Sequence, residues 1–128
     1  MEVPEELEQE IHKEFRKYKG LGFDVNLMTF TDETFMYLKR ELLDYRNFYP
    51  TTDRNLIING YRGLICGVDC KISHGNLKGE PIDLGEVYFY GGYDKSVIAE
   101  LGKTKLFEPE LVIPQRHMRN RFEMLELN

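Results

Sequence analysis

The chain has 128 residues, with 17 Lys plus Arg against 22 Asp plus Glu, a formal net charge of −5. A length of this order, with 41% hydrophobic residues, predicts one globular domain over 1–128 that buries a core without disulfides or metal. It excludes a two-domain enzyme, a repeat array, a collagen-like chain and, on total charge, a free-standing basic nucleic-acid binder.

Residues 4–19 read as a helix. Pro4 suits the first helical position. Glu5, Glu6 and Glu8 lie early and Lys13, Arg16, Lys17 and Lys19 late, which complements the helix dipole. Leu7, Ile11, Phe15 and Tyr18 form one apolar stripe. Glu8 and His12 are one turn apart and share a face. A metal site needs three or four ligands and nothing nearby in the sequence completes one, so the pair reads as a solvated ion-pair face. Gly20 or Gly22 supplies the stop.

Residues 23–29 read as a strand with Phe23, Val25 and Leu27 on one face. Thr31 is a natural N-cap for a second helix running to about Asn47, with Asp32 and Glu33 in its first turn. Its stripe is Phe35, Leu38, Leu42 and Tyr45, and Pro50 to Asp53 form the following loop. Leu56-Ile57-Ile58 predicts a strand. Asn59-Gly60 is the strongest short hairpin signal, so 55–58 is expected to pair with 61–72.

Within 61–72, Leu64, Cys66, Val68, Cys70 and Ile72 fall at every second position, with Gly67, Asp69 and Lys71 between the last four, as on one strand. On a regular strand Cys66 and Cys70 stand about 13 Å apart. That is too far for a disulfide or for ready sharing of one zinc. Both read as small apolar core residues.

Residues 73–85 form a polar, turn-rich loop, and 86–90 a strand stopped by Gly91-Gly92. Alternation puts Val87 and Phe89 on one side of that strand and Tyr88 and Tyr90 on the other. If the second side is open, Tyr88, Tyr90 and the nearby Tyr93 suit a protein interface. The alternative is two-sided burial between sheet and helix. Past residue 93 the pattern leaves alternatives open. Ser96–Leu101 fits a turn or two of helix, and Leu111–Ile113 a strand before Pro114. Residues 115–127 fit a helix with Met118, Phe122 and Leu125, or a strand with Phe122 and Met124. The expected fold class is α+β, a mainly antiparallel sheet of about four or five strands packed with two amphipathic helices in the N-terminal third.

Catalytic signatures are thin. Gly102-Lys103-Thr104 resembles the end of a phosphate loop, but position 97 is Val97 where that loop requires glycine. His74, in Ser73-His74-Gly75-Asn76, has Asp69 near it in sequence alone and reads as a plain loop residue. No catalytic, metal or cofactor set is expected. The concentrated positive patch is Arg116, His117, Arg119 and Arg121, with no acid among residues 116–121, whereas residues 2–10 hold five Glu. On a helix Arg116, Arg119 and Asn120 share a face; on a strand Arg119 and Arg121 do. Such arginines grip phosphate or an acidic partner surface, or pair with the chain's own glutamates. With His12, Lys13 and His117, acid–base cleavage of RNA is conceivable, though no spacing demands it.

The acidic start Met1–Glu6 has no apolar run after it, and no segment is apolar enough to span a membrane. A reducing cytoplasm and no membrane partner are expected.

The order of elements resembles the C-terminal half of tailed-bacteriophage major capsid proteins. The resemblance rests on a helix followed by Phe23-Asp-Val-Asn-Leu-Met-Thr-Phe-Thr-Asp32 and a second helix. Then come Leu56-Ile-Ile-Asn-Gly-Tyr-Arg-Gly-Leu-Ile-Cys-Gly-Val68 and Gly85-Glu-Val-Tyr-Phe-Tyr-Gly-Gly-Tyr-Asp94. It covers roughly residues 8–100 in pattern, without a diagnostic motif. The chain is too short to hold a shell subunit's N-terminal arm and extended loop. The resemblance therefore implies a small phage-encoded protein on a reduced version of that core, in the host cytoplasm or the virion, and carries no functional residue over. The expected function is a non-enzymatic binding or assembly protein acting through protein partners or self-association. The alternative is a nucleic-acid-directed protein, binder or small nuclease, using the 116–121 cluster.

Overall fold

Leu7, Ile11 and Tyr18 are all buried along the first helix, α1 (Val3–Gly20), as their spacing requires. The computed structural model describes residues 3–43, 48–93 and 99–108. The chain order continues β1 (Asp24–Phe30), α2 (Asp32–Leu43), β2 (Phe48–Pro50), α3 (Arg54–Ile58), β3 (Tyr61–Ile65), β4 (Val68–Ile72), β5 (Glu86–Gly92) and β6 (Ala99–Lys105). The fold is α+β. Six strands form one sheet in the order β2-β3-β4-β1-β5-β6. Every neighbouring pair is antiparallel except β1 with β4.

Thr31 caps α2 as expected, its Oγ1 accepting from the Thr34 amide at 3.2 Å. Phe35 and Leu38 are buried below it. Both long helices pack on one face of the sheet. Phe89 of β5 meets the rings of Phe15 and Tyr18, and Phe35 of α2 lies against Phe30 and Phe48. Met28, Ile65, Cys70 and Val87 complete this inner layer from the sheet side. No helix among the described residues is long and apolar enough to cross a membrane.

Several sequence expectations are corrected. β1 does not keep Phe23, Val25 and Leu27 on one face. A bulge between Val25 and Leu27 shifts its register against β5, so Leu27 turns to the outer face while Met28 and Phe30 turn inward. Leu56-Ile57-Ile58 is not a strand but part of α3, capped by Asp53, whose carboxylate accepts from the Asn55 and Leu56 amides. Asn59-Gly60 closes that helix, with the Asn59 and Gly60 amides donating back to Asn55, Leu56 and Ile57 carbonyls. The hairpin lies seven residues later. Residues 61–72 are two strands, with Ile65 paired to Val68 across Cys66-Gly67. Both turn residues have positive φ, 51° and 83°, the type I′ form. Residues 99–105 are strand β6 rather than helix, which also places Gly102-Lys103-Thr104 in extended backbone. The expected continuation of the second helix to Asn47, its Tyr45, and every assignment beyond 108 lie outside the described residues.

Candidate functional site

The two faces of the sheet differ. Register aligns Tyr49, Leu64, Asp69, Leu27 and Tyr90 in one row across β2, β3, β4, β1 and β5 on the face away from the helices. At the β5 end this outer row is covered. Tyr88 and Tyr90 are only 4% and 5% exposed and pack with Ile82 of the 73–85 loop and with Leu27. Asn76 of the same loop donates its Nδ2 to the Tyr88 hydroxyl at 3.4 Å. The tyrosine pair is thus buried rather than open, and its cover is this loop, not a helix. Tyr93 is the exposed one, at 75%, with its ring against Phe23 at 4.9 Å.

The β2 end of the row is open. Tyr49 is 62% exposed and its cross-strand partner Leu64 is also exposed. The short helix α3, which joins β2 to β3, buries none of its residues. Its Leu56, Ile57 and Ile58 all face solvent, Ile58 at 80%. Five residues form no stable helix by propensity. α3 is held by the Asp53 cap and by Arg62, whose guanidinium donates to the Ile57 carbonyl at 3.1 Å. The outcome is a fixed apolar surface at one end of the sheet.

A second constellation joins residues far apart in sequence. Glu8 and His12 face the same way on α1, with Oε2 and Nε2 3.7 Å apart. The Cys66 thiol, at the tip of the β3–β4 hairpin, stands beside them, and the three candidate ligand atoms lie within 4.8 Å of one another. The Phe15 ring meets His12 edge-on at 5.6 Å. The sequence offers no third ligand near the Glu8–His12 pair; the structure brings a residue from far along the chain beside it. That residue is Cys66, placed there by the β3–β4 turn where a regular strand is expected.

Desolvation, and secondarily the Glu8 carboxylate, push the Cys66 thiol up to about 12. Without a cation it is a protonated thiol, not a nucleophile. Cys70 is also raised to about 12, chiefly by burial, and donates its Sγ to the Gly63 carbonyl at 3.4 Å. Both cysteines are free.

An open cleft of about 550 Å³ lies alongside, with Phe15, Lys19, Phe23, Asp24 and Val68 in its wall. Arg16 and Asn26 also line it, and Lys19 and Asp24 pair with each other at 2.8 Å. His74 is exposed in its loop, as expected. Arg116, His117, Arg119 and Arg121 lie outside the described residues. No family model, curated protein or solved structure matches the chain.

Proposed function

We propose that the chain is a non-enzymatic binding and assembly protein whose working surface is the open β2–α3–β3 end of the sheet, with a second copy of the chain as its partner. The supporting observation is α3, an apolar helix with no buried residue, fixed in place beside the exposed Tyr49 and Leu64. A chain that holds Leu-Ile-Ile rigidly in water loses solubility unless that surface meets another. The adjoining β2 is a three-residue edge strand. So short an edge directs association to side chains rather than to open-ended strand addition. The resemblance to tailed-phage capsid cores supports a phage-encoded, virion-associated setting.

Size-exclusion chromatography with light scattering tests the reading. The wild type is expected to run as more than a monomer, and Ile58→Glu to shift it to the monomer. A wild-type chain that stays strictly monomeric overturns it. Salt-sensitive RNA or DNA binding lost on replacing Arg116, Arg119 and Arg121 by Ala assigns the nucleic-acid role instead.

A further inference from the structure

We propose that Glu8, His12 and Cys66 form a binding site for a divalent cation of the zinc class, which clamps the β3–β4 hairpin tip onto helix α1. The proposal is independent of the assembly reading and involves a different part of the molecule.

The donor set carries the first part. One carboxylate, one imidazole and one thiol are the three zinc-ligand types of proteins. A thiol with an imidazole selects zinc or cobalt over magnesium or calcium. On a tetrahedral zinc the ligand atoms stand roughly 3.3–3.8 Å apart, from the usual metal–ligand lengths. Glu8 Oε2 and His12 Nε2 already stand 3.7 Å apart. All three atoms fall within 4.8 Å, about an ångström beyond the tetrahedral spacing. On binding, the cation takes the place of the thiol proton, which goes to solvent. Three protein ligands leave one coordination position to water or to a donor from outside the chain.

The hairpin supplies an independent reason. Cys66 has φ +51° and is the one non-glycine residue with positive φ among the described residues. A type I′ turn favours Asn, Asp or Gly at that position, and Cys-Gly is a poor substitute for Asn-Gly. The unfavourable residue is the one whose thiol reaches the Glu8–His12 pair. An ordinary apolar turn residue gives no account of a cysteine at this point in the loop. Glu8 and His12 are both partly solvent-exposed, which leaves the cation a path in.

The full-length chain, reduced and stripped with chelator, is titrated with Co²⁺. A single equivalent should give a thiolate-to-cobalt charge-transfer band in the near ultraviolet, which Zn²⁺ then bleaches. Zinc should also raise the melting temperature. Cys66→Asn should lose the band and the zinc-induced shift. Its metal-free urea midpoint should nonetheless be raised, because it restores Asn-Gly to the turn. His12→Gln, on a partly exposed helix position, should weaken affinity by roughly tenfold or more; it keeps the test decisive should Cys66→Asn fail to fold. His74→Ala serves as the control and should bind as the wild type does. The proposal is overturned by absence of the band at one equivalent, by a band that survives Cys66→Asn, or by unchanged affinity in His12→Gln.

Discussion

Gly63 shows how a single residue sets the open end of the sheet. Its φ is +134°, at a register shift between Tyr61 and Gly63 in the β3–β4 ladder. A Cβ there would run into the Tyr49 carbonyl oxygen and come within 2.8 Å of the Pro50 Cα and 2.9 Å of the Thr51 amide nitrogen. All three are backbone atoms, so no side-chain rotation relieves the clash. Gly63→Ala combines this overlap with an unfavourable backbone conformation. It is expected to cost at least about 2 kcal/mol, read as a lower urea midpoint; an unchanged midpoint would sink the account. This role was not legible in the sequence. Alternation across 61–72 treated Gly63 as a spacer on one long strand, whereas the bulge makes it the point where β2 crosses closely. The same alternation hid Cys66. Its real neighbours, Glu8 and His12, lie more than fifty residues earlier, and no local spacing reports that.

At the scale of elements, local signals succeeded where the determinants are local. The α1 stripe, the Thr31 cap and the Glu86 strand were all readable, because helix periodicity and capping involve residues within one or two turns. α3 departs from the expected strand because five residues hold too little of a 3.6 period to oppose an Asn-Gly signal. That dipeptide does turn the chain, but it ends a helix. The β5–β6 pair yields a pH prediction. Glu86 is buried, and burial by itself would raise its pKa. The Asp83 amide, donating at 3.0 Å, and Lys103, whose Nζ donates at 3.1 Å, outweigh burial and hold the carboxyl below its ordinary 4.5, with Lys105 adding to the effect. A depressed folded pKa contributes stability that is present above the ordinary value and lost as pH falls through the folded one. The urea midpoint should therefore drop on acidification from about pH 5 downward. Glu86→Gln should flatten part of that decline. Parallel declines in the variant and wild type would remove Glu86 from the explanation.

Across the whole molecule, the two faces of the sheet are covered differently. The helix-facing layer holds the main core: Phe89 is fully buried against Phe15 and Tyr18 and ties β5 to α1. The outer layer is closed at β5 by the Ile82 loop and open at β2, where α3 sits. Two substitutions should therefore separate stability from association. Phe89→Ala empties an aromatic volume from a core that two layers enclose and should cost about 3–5 kcal/mol. Ile58→Glu removes no buried contact, since Ile58 is 80% exposed. Measured on the monomer, it should change stability by no more than about 0.5 kcal/mol. If the β2–α3–β3 end is an interface, wild-type stability should rise with protein concentration and that of Ile58→Glu should not, because a partner that binds the folded chain adds its association energy. Phe89→Ala should keep the concentration dependence while losing stability at every concentration. Equal concentration dependence in wild type and Ile58→Glu would place any association elsewhere on the molecule.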